Sequence, residues 1–151
     1  MKLLSSVCLC LAVLSAVSAE APQWRWHEKT AQPHTTRFFR IPFELKEKAK
    51  SAPVTFGLDD IGSIYVNGRR IAANIHMPPK TWHIENYLKP GKNVIAVQVL
   101  NHIGIAGLII SGDILLESGN VQKLSSGGTV LSGTKADAGW TDVKFDDSGW
   151  K

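Results

Sequence analysis

Two pairs of adjacent carboxylates, Asp59-Asp60 and Asp146-Asp147, are the residues that most directly suggest chemistry. Paired acids are what glycoside hydrolysis uses, one as general acid and one as base or nucleophile. The two carboxyl groups must flank the scissile bond, about 5–5.5 Å apart for retention or about 6.5–9.5 Å for inversion. Neighbours on an extended segment point to opposite faces. Asp59 and Asp60 are therefore not expected to clamp one bond, and neither are Asp146 and Asp147 unless a turn folds them together. The ordinary work of such pairs is in turns, where a short carboxylate accepts backbone N–H groups. Glu85 and Glu117 have no recognisable partner, so no catalytic residue is assigned.

Five histidines, at 27, 34, 76, 83 and 102, show no two-His helical spacing of a zinc hydrolase. No Ser lies in a G-x-S-x-G elbow, and Ser125-Ser126-Gly127-Gly128 lacks the Lys of a phosphate loop. No metal ligand set is assigned. Aromatic faces beside polar groups are better represented. Carbohydrate sites use a flat ring for the sugar's C–H side and planar donors or acceptors for its hydroxyls. Trp24 and Trp26 share one face of any strand, a pattern more typical of core. Trp82 is better placed, because it follows a Pro-rich loop containing His76 and precedes His83. Asn101 and His102 end a strand where a loop begins, with turn capping the competing role for Asn101. The candidate carbohydrate-binding residues are thus Trp82, His83, His76, Asn101 and His102. One Trp and a few hydrogen bonds of about 1 kcal/mol each imply near-millimolar affinity, about −4 kcal/mol.

The elements that must position these residues are short strands. Phe39, Ile41, Phe43 and Leu45 alternate within 36–45, with Pro42 marking an edge or bulge. Val54, Phe56 and Leu58 alternate next, then Ile64 and Val66. Asn67-Gly68 supplies hairpin turn chemistry, with 69–71 returning. Residues 72–81 read as a loop. Trp82, Ile84 and Tyr87 turn back to the core, and Lys89-Pro90-Gly91-Lys92 suits a type II turn. Residues 93–101 form a strand apolar on both faces and hence central. Residues 107–117 form another, and 121–131 hold two short ones. About eight strands with almost no helix predict an all-β antiparallel sandwich of jelly-roll type, since a central strand needs both faces covered.

The first residues carry a different signature. Lys2 precedes an apolar run from Leu3 to Val17, and Val17-Ser18-Ala19 is a small-residue cleavage site. This predicts a signal peptide over 1–19, cleavage near Ala19 and a secreted or periplasmic protein. Cys8 and Cys10 both fall within it, so the mature chain has no disulfide framework or thiolate metal site. The formal net charge of +4 is mild and spread out, which argues against a nucleic-acid partner. No further apolar stretch is long enough for a membrane span. The remaining length suits one sandwich over 20–131, with a polar, Gly-rich linker over 132–151.

WRWH at Trp24–His27, FFRIPFEL, LDDIGSIYVNG and YLKPGKNVIAVQVLN, with Ala106-Gly107-Leu108 after it, resemble in order a known module. It is the galactose-binding-like jelly roll that serves as sugar-binding domain of glycoside hydrolase family 2 and opens α-L-rhamnosidase-like enzymes. The resemblance covers about Trp24 to Glu117. GWTDVKFDDSGW, Gly139–Trp150, is similar to the start of another module of those enzymes, which implies a chain truncated before its next domain. The resemblance implies a non-catalytic accessory domain of an α-L-rhamnosidase or β-galactosidase-like parent. Its implied partners are a C-terminal catalytic domain of the same chain and a poly- or oligosaccharide. A stand-alone lectin-like or adhesion module is the alternative. Similar modules sometimes hold Ca²⁺, and Asp59, Asp60 and Asp113 are oxygen donors. They lie in no recognised calcium-loop pattern, so no cofactor is expected.

Overall fold

Strict alternation of apolar and polar side chains produces strands with one buried face, and the computed structural model describes residues 20–151 in those terms. The expected leader over 1–19 lies outside the described residues. Ten strands follow in order: β1 (Thr35–Leu45), β2 (Ala49–Ser51), β3 (Pro53–Asp59), β4 (Ile61–Val66) and β5 (Arg69–Ile75), then β6 (Lys80–His83), β7 (Gly91–Asn101), β8 (Gly107–Leu116), β9 (Val121–Ser125) and β10 (Leu131–Gly133). A single 3₁₀ turn, Glu85–Tyr87, interrupts them. One sheet has the order β10-β1-β7-β4-β5, the other β2-β8-β3-β6 with β9 also paired to β8. All pairings are antiparallel. The result is the expected all-β sandwich of galactose-binding-like jelly-roll type.

The inner faces form one core. Phe39, Ile41 and Leu45 of β1 and Ile95, Val97 and Val99 of β7 meet Val54, Phe56 and Leu58 of β3 and Leu108, Ile110 and Ile114 of β8, all buried. Each such side chain contributes about 1.5–3 kcal/mol. The turns match their chemistry: Asn67 and Gly68 both have positive φ, as a two-residue hairpin requires. Pro42 sits beyond the end of β10, where its side of β1 has no strand asking for a donor.

Two sequence expectations are corrected. Residues 72–81 are not all loop, because β5 continues to Ile75 and β6 begins at Lys80. The cause is an edge position. β5 pairs only with β4, its register shifts twice, and Asn74 has positive φ. Most of its side chains are therefore solvated, and no alternation survives to be read. The second correction concerns the outer face of β7, which is covered by the tail and not by a second sheet.

That tail, read from sequence as a linker, packs as a strap. Trp140 packs edge-on to Phe38 of β1 (5.2 Å) and Tyr65 of β4 (5.6 Å) and stacks on Trp150 (6.3 Å). Trp150 lies on Gly133, where a Cβ would come within 2.9 Å of its ring. Arg40 projects from the outer face of β1 beneath the strap and is 2% exposed. Its Nε donates to Asp147 Oδ2 at 2.8 Å, and its Nη1 donates to the carbonyls of Trp140 and of Asp142, the latter at 3.0 Å. Turns of the expected kind shape the strap, with Asp142 accepting from the Lys144 N–H and Asp146 from the Ser148 N–H.

Replacing Arg40 with Leu would leave the Asp147 carboxylate and two carbonyls without their donor. Breaking a buried pair costs about 3–5 kcal/mol. Because Asp147 is partly exposed, about 2 kcal/mol is expected. Thermal unfolding should show that loss, and limited proteolysis should cut first within 139–150. An unchanged melting temperature with a protected strap would contradict the assignment.

Candidate functional site

Strand register gathers four connecting segments at one end of the sandwich. Thr35 lies opposite Asn101, Ile61 opposite Leu100, Asp59 opposite Gly107 and Ile75 opposite Gly62. Residues 24–34, 59–60, 76–79 and 102–106 therefore meet at one rim. Backbone bonds bind them together. Arg25 and Leu108 exchange a pair at 2.8 and 2.9 Å, and the His34 N–H donates to the His102 carbonyl at 3.3 Å. The Arg25 side chain reaches the carbonyls of Ser126 (2.7 Å) and Gly127 (2.9 Å), fixing the segment that carries Trp24 and Trp26.

The Asp59-Asp60 pair stands at the centre of this rim and corrects an expectation. β3 ends at Asp59, so Asp60 has left the pleat and side-chain alternation no longer applies. The two carboxyl groups lie close enough to shift each other's ionisation. Carboxyl groups in such direct contact leave no room for a glycosidic bond between them. Asp60 Oδ2 accepts the N–H of His102 at 2.6 Å and of Ile103 at 3.3 Å, the capping role expected of a turn aspartate. These bonds, the His102 one foremost, hold Asp60 below the usual carboxylate range. Desolvation, then the bond to Asp60 and its charge, push Asp59 up.

The loop that Asp60 anchors presents Ile103 and Ile105 to solvent, 75% and 83% exposed. Trp24 and Met77 are also exposed here, so four of the five exposed large apolar side chains among the described residues share this rim. Trp24 lies over Gly107, where a Cβ would meet its ring at 2.7 Å. Beside the loop is a cavity of about 230 Å³ whose lining includes Trp26, Glu28, Gly104 and Ile105. Trp26 packs against Phe39 at 5.9 Å, yet its Nε1 is buried with no hydrogen-bond partner among the described residues. Glu28 Oε1 accepts from Arg37 Nε at 2.7 Å and from Nη2. This bond holds Glu28 ionised to lower pH, while its Oε2 is buried and unpartnered. The residues that carry this unused donor and unused acceptor thus line one cavity, with both atoms buried behind its wall, and each is costly to leave unpaired.

The residues expected from sequence divide between two places. His76 and His102 lie at this rim, both exposed. His76 bonds its neighbour's carbonyl at 2.8 Å, and the contacts of His102 come from its backbone. Asn101 is fully buried and ties the rim together, donating Nδ2 to the Gln32 carbonyl at 2.8 Å. Trp82 and His83 lie elsewhere. Trp82 is opposite Val54, five residues before Asp59, hence about 17 Å along β3 from the rim. It packs edge-on to Phe56, and His83 is solvated beside Glu85. The oxygen donors also separate, since Asp113 faces Lys123 at 3.2 Å on β8. Sequence reasoning missed Glu28, Arg37, Ile103 and Ile105. No local signal marks the Glu28–Arg37 pair, which forms only when the chain turns into β1.

No family model matches the chain. An α-L-rhamnosidase of Streptomyces avermitilis is 25% identical over 147 residues, covering 89% of this chain and 14% of the relative. The crystal structure of that organism's enzyme complexed with L-rhamnose superimposes with a TM-score of 0.76 at 26% identity, over 87% of this chain and 14% of the enzyme. Lectin structures from Pleurotus ostreatus share the fold. The apo form has a TM-score of 0.78 at 24% identity, over 87% of this chain and 40% of the lectin. The complex with GalNAc has 0.76 at 20%, over 87% and 42%. The chain spans about a seventh of the length of the rhamnosidase it resembles.

Because the paired aspartates shift in opposite directions, they should titrate on either side of the usual value of 3.8. Asp60, depressed in the fold, adds stability above its unfolded value that is lost as pH falls through its folded one. Asp59, raised, favours the fold below its unfolded value, and that contribution is lost as pH rises through its folded one. Carboxyl carbon NMR should show the two transitions separated, with the His102 amide following only the lower. Asp60→Ala, which removes the acceptor, should expose the His102 amide to exchange at a cost of about 1 kcal/mol, modest because the site is solvated. Coincident titration at 3.8 would refute the coupling.

Proposed function

We propose that this chain is a non-catalytic carbohydrate-binding module of a secreted glycoside hydrolase and that it holds a saccharide at the loop rim. The observation that carries the reading is the small cavity lined by Trp26 and Glu28 beside the exposed Ile105. Trp26 Nε1 and Glu28 Oε2 are buried behind the cavity wall without partners, and a small opening there would offer a sugar hydroxyl both a donor and an acceptor. Trp24, Ile103 and Ile105 beside it offer apolar surface for the sugar's C–H side. Similarity to a rhamnosidase seen with L-rhamnose and to a lectin seen with GalNAc supports the same class of ligand. The parent is an α-L-rhamnosidase or β-galactosidase-like enzyme, and the module packs beside its catalytic domain to extend the substrate cleft. The apolar run Leu3–Val17 with its small-residue site supports export.

One observation favours a second reading, a free-standing lectin-like or adhesion module. The chain matches a larger share of the Pleurotus lectin, 40%, than of the rhamnosidase. The coding sequence beyond Lys151 separates the two: a frame continuing into a catalytic domain supports the enzyme module, and an immediate stop supports the lectin.

Calorimetric titration with L-rhamnose and with N-acetylgalactosamine should give a near-millimolar Kd for at least one of them. Trp26→Phe removes the indole N–H while keeping an aromatic ring against Phe39, and Glu28→Gln removes a charged acceptor. Each should weaken binding about fivefold, the equivalent of one hydrogen bond of about 1 kcal/mol. Repeating the titration in Ca²⁺ and in EGTA reads any contribution of a hard cation at Asp59-Asp60. Silence toward both sugars at roughly ten times a millimolar Kd would sink rim binding and leave only the packing role.

A further inference from the structure

A second polar cavity lies on the outer face of the first sheet, away from the rim. It measures about 450 Å³ and is bounded by Arg40, Phe43, Lys92, Val143, Phe145 and Asp147. Its floor is β1 and β7, and its far wall is the strap. We propose that this cavity is a second saccharide subsite, one that takes a neutral sugar between the strap and the sheet.

Unfinished hydrogen bonding around Arg40 carries the argument. The guanidinium has five N–H groups. Nε and Nη1 are committed to the strap, and its carbon lies 5.1 Å from the centre of the Phe145 ring. Nη2 donates to nothing among the described residues, yet it is not among the fully buried unpartnered atoms. Arg40 lines this cavity, and Nη2 is the donor it has left to offer there. Asp147 is in the same condition. One oxygen holds Arg40 at 2.8 Å, the other accepts no side-chain or backbone hydrogen bond, and the side chain is 27% exposed. A free donor and a free acceptor therefore stand side by side on a pair already locked in place by its own ion pair.

Charge selects the ligand class. Arg40 is neutralised by Asp147, and Lys92 lies opposite Glu44 in register across β1 and β7. The site has no net charge to draw an anion. It matches instead a group that both donates and accepts, such as one hydroxyl or two neighbouring hydroxyls. Val143 and Phe145 supply apolar walls for the C–H side of the ring. Because Arg40 is rigidly held before any ligand arrives, little side-chain entropy remains to be lost on binding. This site stands independently of the rim, from which the sheet face separates it.

Heteronuclear NMR titration of the intact chain tests this with methyl α-L-rhamnoside, N-acetylgalactosamine and cellobiose as neutral probes and D-glucuronate as a charged one. A neutral probe should shift the amides of Lys92, Val143 and Phe145 and the Arg40 side-chain signals at millimolar concentration. Those shifts should persist in a Trp26→Phe/Glu28→Gln chain and vanish in Glu44→Trp, whose indole would fill the cavity from an exposed position, while rim shifts remain. Absence of strap shifts with every neutral probe would overturn the proposal, even if rim amides move. Tighter binding of glucuronate than of any neutral probe would overturn it too. Strap shifts without rim shifts would uphold it and count against the rim reading alone.

Discussion

Eleven consecutive residue pairs, from Thr35 with Asn101 to Leu45 with Gly91, lock β1 to β7, and everything else in the molecule is referred to that ladder. A slip of one residue would turn Phe39, Ile41 and Leu45 outward and carry Arg40 into the apolar core. The register therefore fixes two things at once. It sends the guanidinium to the outer face, where the strap can close over it, and it brings Asn101 level with the start of β1, where it can hold Gln32. At the opposite end the ladder terminates in the turn at Gly91. There Asn93, buried and fully engaged, bonds Lys89 and Gly91 and receives Asn67 from the neighbouring hairpin.

Such a frame makes the two ends of the sandwich unlike each other. The turn end is closed by short, self-satisfied loops rich in Asn and Gly. The rim is built from longer segments tied by side chain to backbone bonds, and there buried polar atoms are left over. Leftover polarity costs stability, so its concentration near the Trp26 cavity, with Asn101 Oδ1 also unpartnered, is what distinguishes that end from the other. The outer face of the first sheet has a comparable surplus only around Arg40. Both places combine an aromatic residue with an unspent donor and acceptor.

Local chemistry was readable from the residues. The alternation in β1 and β3, the Asn67-Gly68 hairpin and the continuous apolar run of β7 each declare an element, because each depends on neighbours in sequence. The turn roles of Asp60 and Asp146 were legible for the same reason. What escaped depends on residues far apart. β5 looked like loop because an edge strand needs no apolar face. The strap looked like linker because Gly139, Asp146 and Ser148 are turn formers, and nothing local says that Trp140 has partners as far back as Phe38 and Tyr65. Trp82 and His83 looked favourable beside a Pro-rich loop, but the pairing of β6 with the start of β3 carries them away from the rim. Glu28 was invisible until Arg37 came round beside it.

Arg25 and Arg40 share one peculiarity: their principal acceptors lie 101 and 107 positions later in the polypeptide. During synthesis both guanidinium groups emerge long before the carbonyls and carboxylate that will hold them. The early strands can collapse on one another, but neither the edge beside β8 nor the outside of β1 can be finished until the last stretch arrives. Sandwiches dominated by such distant closures assemble in roughly milliseconds to seconds. The two arginines thus act as late fasteners, joining opposite extremities of the described chain after the interior has already formed.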